Sequence, residues 1–291
     1  MTKNAVNFIN PITFETLTGN KCLIDTFDRN FQYRVDHVAL AKQADVVMVA
    51  PASANVIGKI ANGIADDMLT TTVMACPCKK IISPAMNHNM YHNPIVQDNL
   101  KKLAGYGYEI IAPAKGMLAC RDEGDGKMPS EDVLVNYIVR EIAYEKDLAG
   151  MKVIVTAGPT QESLDPVRFI SNHSTGKMGY AIATNAMLRG ANVTLVSGPT
   201  NIKKPPFVNV IDIKSAQDMF EAVTSNADAQ DIIIKSAAVA DYTPENVSDE
   251  KKVDIEKFKI VVFYYSYHHC YYVVHIGNPT STHGYLLSKH R

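Results

Sequence analysis

The chain has 291 residues, 46% hydrophobic and 20% charged, which supplies apolar material for two domain cores and excludes a disordered chain. Its 29 Lys and Arg against 30 Asp and Glu leave a net charge of -1, so no bulk field draws it to nucleic acid or an anionic membrane. Five cysteines and the polar start Met1-Thr-Lys-Asn4 fit a reducing, cytoplasmic setting, and the apolar stretch Ile260 to Ile276, broken by Ser266, His268 and His269, is too short to span a bilayer.

In chain order, Met1 to Asn10 reads as a polar loop, where a doubly wound domain would open on a buried strand and a Gly-rich turn. Short apolar runs then alternate with helical patterns, the signature of βαβ units and parallel sheets. Strands are expected at Val46–Ala50, Lys80–Ser83 and Glu109–Ala112, with an amphipathic helix near Val56–Leu69 and a terminal helix at Asp132–Glu145. A second series has strands from Met151, at Asn192–Ser197, at Val208–Ile213 and at Asp231–Ala237, with helices at Lys177–Arg189 and Ser215–Ser225. The fold class is therefore α/β, with two doubly wound, mainly parallel three-layer domains. The expected boundaries are 1–145 for the first domain, 146–150 for a linker ending in Gly150, 151–252 for the second domain and 253–291 for a tail. That tail holds six of the 14 tyrosines and five of the nine histidines, a composition foreign to the rest. A stacking platform for nucleic acid, a His/Cys metal site and the product of a reading-frame disruption are its three readings, the last favoured by composition.

Several loops sit where strand ends bind ligands. In Ala50-Pro-Ala-Ser-Ala-Asn-Val56, Ser53, Asn55 and the following amides suit a cofactor, with helix capping by Ser53 as the structural alternative. In Ser83-Pro-Ala-Met-Asn-His-Asn-Met90, the Asn87 carboxamide can hold a carboxylate, or the segment can be a plain turn. Gly116 to Met128 has the composition of a mobile lid, and its Cys120 thiol can donate a proton. His37 precedes a helix-like Val38–Ala44, and Cys76-Pro-Cys78 lacks a second pair at metal spacing and reads as structural. In the second half, Asn172 to Gly179 puts Ser174, Thr175 and main-chain amides at a positive helix end suited to phosphate, in neither the Walker A nor the dinucleotide Gly order. Asp241 closes a strand and suits nucleotide or metal-associated phosphate, while Lys251 can neutralise developing charge or simply be solvated.

Taken together, these motifs resemble the family of bifunctional phosphopantothenoylcysteine decarboxylase/phosphopantothenate–cysteine ligases of coenzyme A biosynthesis, from about residue 1 to 252. His37, Ala-Pro-Ala-Ser-Ala-Asn55, Pro84-Ala-Met-Asn87-x-x-Met90 and Ala119-Cys120-x-Asp122 look like its flavoprotein half. Thr156-Ala-Gly-Pro-Thr-x-Glu162, the run from Asp165 to Gly179 and Ala237-Ala-Val-Ala-Asp-Tyr242 look like its ligase half. The resemblance implies FMN, held near Ser53, Ala54, Asn55, Val56 and Ala85, and oxidative decarboxylation of 4′-phospho-N-pantothenoylcysteine to 4′-phosphopantetheine. Within that reaction it implies Cys120 as proton donor, His37 as active-site histidine and Asn87 as holder of the substrate carboxylate.

For the ligase half the resemblance implies CTP, with Mg2+ near Asp241, activating 4′-phosphopantothenate for attack by cysteine. CTP would lie at Ser174, Thr175, Gly176, Lys235, Ser236, Ala237, Asp241 and Lys251, with Lys251, Asn172 and Arg168 acting in the chemistry. No protein metal ligand is implied. Trimers of the flavoprotein half and dimers of the ligase half are, without nucleic-acid or membrane partners.

The sequence departs from the family in three places: its first strand, phosphate loop and helix do not precede Met1, Arg121 replaces a glycine, and the remaining ligase sequence does not follow Lys252. The ligase half is accordingly expected to bind nucleotide without turnover. A peptidyl-cysteine decarboxylase and a catalytically silent assembly subunit are the alternative functions.

Overall fold

The computed structural model of the protein describes residues 1–27, 35–117, 123–251 and 260–262. The chain folds as two compact units that divide between Ile142 and Ala143. The class is α/β, each unit carrying a parallel sheet.

The first unit opens with a short 3-10 turn at Ala5–Asn7 and α1 (Pro11–Thr18), where a polar loop was expected up to Asn10. Asn10 starts α1 by accepting the Ile12 N–H at 3.1 Å, and Pro11 occupies the first turn, where its missing N–H costs nothing. There follow α2 (Asp36–Gln43), β1 (Val46–Ala52), α3 (Ala54–Ala61), α4 (Met68–Ala75), β2 (Lys79–Pro84), α5 (His88–Tyr91), α6 (Pro94–Gly105), β3 (Glu109–Ile110), β4 (Ala114–Met117), β5 (Glu123–Lys127) and α7 (Glu131–Ile142). The helix expected near Val56–Leu69 is two helices, because Asn62 closes α3 and Asp67 starts α4 with a reciprocal capping box to Thr70.

Strands run in the order β1-β2-β3, all parallel, with Val49 opposite Ile82 and Ile82 opposite Ile110. Alternate residues face opposite layers. Val49 and Ile82 pack with Ile57, Ile60, Leu100 and Leu103 of α3 and α6, whereas Met48 and Ile81 pack with Leu134 and Tyr137 of α7. Ile57, Ile81, Ile82 and Leu103 are fully buried, and burying each such side chain contributes roughly 1.5–3 kcal/mol. Within the Gly-rich stretch read as a lid, β4 and β5 pair antiparallel with Gly116 opposite Gly124, and residues 118–122 lie outside the described residues.

The second unit comprises β6 (Lys152–Ala157), β7 (Gln161–Ser163), β8 (Phe169–Ser171), α8 (Lys177–Leu188), β9 (Asn192–Ser197), β10 (Asn209–Asp212), α9 (Ala216–Ala227), β11 (Ile232–Lys235), β12 (Tyr242–Pro244) and β13 (Ile260–Val262). The main sheet is parallel in the order β10-β9-β6-β11. Val153, Val155 and Leu195 pack under α8, and Ile154, Val196 and Ile233 under α9, so both faces are covered. Segment 146–150, expected as a linker, is a turn bound to this unit: Leu148 N–H donates to Arg189 O at 3.0 Å and Lys146 Nζ to Leu188 O at 2.7 Å. β12 pairs antiparallel with β13, which lies in the stretch read as a tail.

Candidate functional site

In the first unit the ends of β1 and β2 carry the expected cofactor loops. Ala52 O accepts the Ala85 N–H at 3.0 Å, joining the two loops by their main chains. Ser53, exposed, caps α3 by accepting the Val56 N–H at 3.4 Å, so its capping role is realised in the structure. The first-turn amides of Ala54 and Asn55 have no intrahelical acceptor and form a donor end. Val56 is buried, fixing that turn to the core.

At the end of β2, Ser83 is fully buried and its Oγ has no hydrogen-bond partner among the described residues. The sequence reading missed this residue, since an orphaned hydroxyl leaves no mark in a sequence. Asn87, half-buried, starts α5, its Oδ1 accepting the Asn89 N–H at 2.9 Å, which fixes the plane of the carboxamide. Met86 N–H donates to Gly126 O at 3.0 Å, binding hairpin β4–β5 beside Asn87. Gly126 has φ 146°, and a Cβ there would stand 2.1 Å from Met86 O, so only glycine permits this approach. His37 is half-buried in the first turn of α2. Cys120 and Arg121 lie outside the described residues. Cys76 is buried, and burial pushes its thiol pKa up, with Cys78 alongside, in keeping with a structural role.

In the second unit the strand order places β6 between β9 and β11. The connection from β6 leads to one side and the later return to β11 lies on the other, so the crevice beyond the carboxyl ends of β6 and β11 is a topological switch point. The residues expected to bind nucleotide converge on it. Gly158, after β6, and Gly176, the residue before α8, both have φ 77° and touch: a Cβ on Gly176 would lie 3.2 Å from Gly158 Cα. Gly179 lets α8 press on the sheet, since a Cβ there would stand 2.5 Å from Ala157 Cβ. As the N-cap of α8, Gly176 offers no side-chain acceptor, which leaves the first-turn amides of α8 as the donor surface at this helix end; the Gly176 N–H itself donates to half-buried Ser174 Oγ at 3.4 Å, and Thr175 is exposed beside it.

Across the crevice, segment 236–241 is held almost entirely by its main chain. Ser236 and Ala237 N–H both donate to Thr156 Oγ1, at 3.1 and 3.2 Å, and Ala240 N–H donates to Thr160 Oγ1 at 2.9 Å. Ala238 O accepts from Thr160 N–H at 3.2 Å and from Asn172 Nδ2 at 3.0 Å. Asn172 thus ties the loop before α8 to the loop after β11. Ser236 Oγ is buried without a hydrogen-bond partner among the described residues. Lys235, Asp241 and Lys251 are exposed.

Arg168 stands on Asp165, its Nε 2.8 Å from Oδ2 and its terminal nitrogen 2.6 Å from the same oxygen. Burial pushes the Asp165 carboxyl up, but the Arg168 guanidinium and the N–H groups of Val167 and Arg168 outweigh it and hold its pKa at about 2. Thr156, Thr160 and Glu162 were absent from the expected site. Glu162 is buried and accepts the Ala216 N–H at 2.8 Å, anchoring the start of α9.

The sequence profile of the flavoprotein family matches residues 1–143, and that of the DNA/pantothenate metabolism flavoprotein C-terminal domain matches residues 148–262. The second match continues past residue 252, where the sequence reading ends the second domain, and takes in β13. Over 254 residues the chain is 47% identical to the coenzyme A biosynthesis bifunctional protein CoaBC of Bacillus subtilis, covering 86% of this chain and 63% of that protein. Its counterpart in Borreliella burgdorferi is 42% identical over 260 residues, covering 89% of this chain and 66% of that protein. The chain therefore spans slightly less than two thirds of these relatives. A solved PPC decarboxylase mutant complexed with pantothenoylaminoethenethiol is 30% identical, covers 47% of this chain and 78% of that one, and has a TM-score of 0.42. The chain thus joins a flavoprotein domain in its first unit to a DNA/pantothenate metabolism flavoprotein C-terminal domain in its second.

Proposed function

We propose that the first unit is an FMN-dependent decarboxylase converting 4′-phospho-N-pantothenoylcysteine to 4′-phosphopantetheine in coenzyme A biosynthesis, and that the second is the CTP-binding part of a phosphopantothenate–cysteine ligase. One observation carries the reading: both domain families occur in one chain, in this order, with 47% identity to a coenzyme A biosynthesis bifunctional protein.

The residues of the first unit fit a flavin phosphate and ring. The α3 amides of Ala54 and Asn55 supply donors at a helix N-terminus, with Ser53 beside them, Ala85 and Val56 lining the loops, and the unpaired Ser83 Oγ at the adjoining strand end. When bound, FMN supplies a two-electron oxidation of the cysteinyl thiol to a thioaldehyde and later returns a hydride to the enethiol left by loss of carbon dioxide. In this reading the Asn87 carboxamide binds and orients the substrate carboxylate, its Nδ2 being the donor end. His37 sits in the active site. Cys120 supplies the proton that completes the thiol product, so the overall reaction is redox-neutral.

In the second unit the unpaired Ser236 Oγ, the amides beyond Gly176 and the hydroxyls of Ser174 and Thr175 line the switch-point crevice and fit a nucleoside triphosphate. Lys235, the last residue of β11, and Ala237, two residues beyond it, border the crevice, Asp241 would meet the Mg2+ that accompanies CTP, and Lys251 would offset charge on activation of phosphopantothenate. Asn172 holds the two loops together through Ala238, and Arg168 holds its turn through Asp165. Association as trimers of the first unit and dimers of the second belongs to the same reading.

The test is substrate comparison with FMN supplied. Phosphopantothenoylcysteine should be consumed faster than a peptide ending in cysteine; the reverse preference would make the chain a peptidyl-cysteine decarboxylase, and turnover of neither would make it an assembly subunit.

A further inference from the structure

The motif Pro84 to Met90 ends in a feature that the proposed function does not use. His88 opens the short helix α5 and His92, four residues on, caps its end with its N–H donating to His88 O at 3.0 Å, a spacing that serves metal sites elsewhere. Their rings pack with centroids 4.4 Å apart. Hairpin β4–β5 brings Asp125 against them: His92 Nε2 lies 3.1 Å from Asp125 Oδ2, and His88 Nδ1 lies 3.2 Å from the Asp125 main-chain N. One imidazole nitrogen from each histidine and one carboxylate oxygen all fall within 4.8 Å of one another.

We propose that His88, His92 and Asp125 form a binding site for a zinc-class divalent cation. Two ligands bonded at about 2.0–2.2 Å to one tetrahedral cation stand about 3.3 Å apart, close to the observed spacing of His92 Nε2 and Asp125 Oδ2. The third bond, from His88, replaces the contact with the Asp125 N–H, which is at the long end of the hydrogen-bond range. Two imidazoles and one carboxylate favour zinc, nickel or copper over magnesium or calcium, which prefer all-oxygen sites. Three protein ligands leave a fourth position, and the His92 side chain is 48% exposed, so a water can complete it. The cation would pin the hairpin to the segment that carries Asn87, a coupling of two elements distant in sequence. Lys115 Nζ, 3.8 Å from the other oxygen of Asp125, is the competing charge; its side chain is 86% exposed and can swing away.

The test uses the intact chain with cobalt(II) as a spectroscopic stand-in and zinc as competitor. One equivalent of cobalt should bind with ligand-field bands of nitrogen and oxygen donors, without the charge-transfer band of a thiolate, and zinc should displace it. His92→Ala and Asp125→Ala should weaken binding at least as much as loss of an outer-shell partner does, about 10–100-fold. Lys115→Ala should leave binding intact or tighten it. In the unaltered chain, zinc should protect His88 and His92 from acylation of their rings, a readout independent of how the variants fold. Absence of binding, a thiolate band, unchanged affinity in both ligand variants, or ring acylation insensitive to zinc would each overturn the proposal.

Discussion

Gly176 meets Gly158 across the carboxyl edge of the second sheet, so closely that a Cβ on Gly176 would lie 3.2 Å from Gly158 Cα and 2.8 Å from Thr200 Cγ2. This pair lets α8 start directly over the end of β6. It presents the helix amides to the crevice that β6 and β11 frame, and the proposed nucleotide site depends on that contact.

Gly176→Ala should therefore destabilise the second unit and weaken nucleotide binding together. The left-handed backbone alone costs a β-carbon about 1–2 kcal/mol, before the crowding is counted. Thermal melting and CTP titration measure the two effects; a variant as stable and as competent to bind CTP as the parent would contradict the assignment.

Ser83 and Ser236 offer a sharper separation of stability from binding. Each hydroxyl is buried without a hydrogen-bond partner among the described residues, so replacing it with alanine removes an uncompensated polar group. Ser83→Ala and Ser236→Ala should raise stability, by about 1 kcal/mol. If ligands satisfy these hydroxyls, Ser83→Ala should lower FMN affinity and Ser236→Ala CTP affinity. Lower stability in the ligand-free variants would show that the hydroxyls already have partners.

Much of this arrangement is legible in the sequence, and the reason differs by element. Strands β2, β6 and β9 are short apolar runs buried on both faces, and β1 and β11 are apolar runs that are mostly half-buried, a pattern that reads directly as parallel sheet. The placement of Asn87 just beyond β2 follows from that sheet, and that of Gly176 from the helix pattern that begins at Lys177. Helix α6 was missed although Asn93-Pro94 is a plain start signal, because its apolar residues Val96, Leu100 and Leu103 are outnumbered by polar ones. Hairpin β4–β5 was hidden by its glycines, which look like loop residues until pairing gives them an extended backbone. The pairing of Arg168 with Asp165 is a local turn contact between residues three apart, whereas the orphaned Ser83 hydroxyl depends on tertiary placement, for which a lone sequence has no signal.

Acid should loosen the second unit through Asp165. Its pKa is lowered from 3.8 to about 2 in the folded protein, so its contribution is complete above pH 3.8 and is lost as pH falls from there toward 2. Asp165→Asn should lower the melting temperature at neutral pH and flatten its dependence on pH across that acid window. An Asp165→Asn profile parallel to the parent's would place the acid sensitivity elsewhere.

Gly126→Ala should separate cofactor binding from turnover. Its β-carbon would collide with Met86 O and push the hairpin away from Asn87, while the α3 loop is untouched. A displacement of about 1 Å at a reacting centre can cost on the order of 100-fold in rate. FMN uptake should persist with decarboxylation reduced on that scale; loss of both would point to a folding role.

In the proposed reaction Cys120 acts only in the reductive half. Cys120→Ser should still release carbon dioxide while the enethiol accumulates, as followed by its ultraviolet absorbance. Unchanged phosphopantetheine formation would remove Cys120 from the proton transfer, and loss of carbon dioxide release would make it a binding or folding residue.

The most direct measurement supplies the intact chain with FMN and 4′-phospho-N-pantothenoylcysteine and follows carbon dioxide and 4′-phosphopantetheine together. The account predicts FMN-dependent formation of both in equal amounts, without any added oxidant or reductant. A chain that takes up FMN and releases neither product would contradict it.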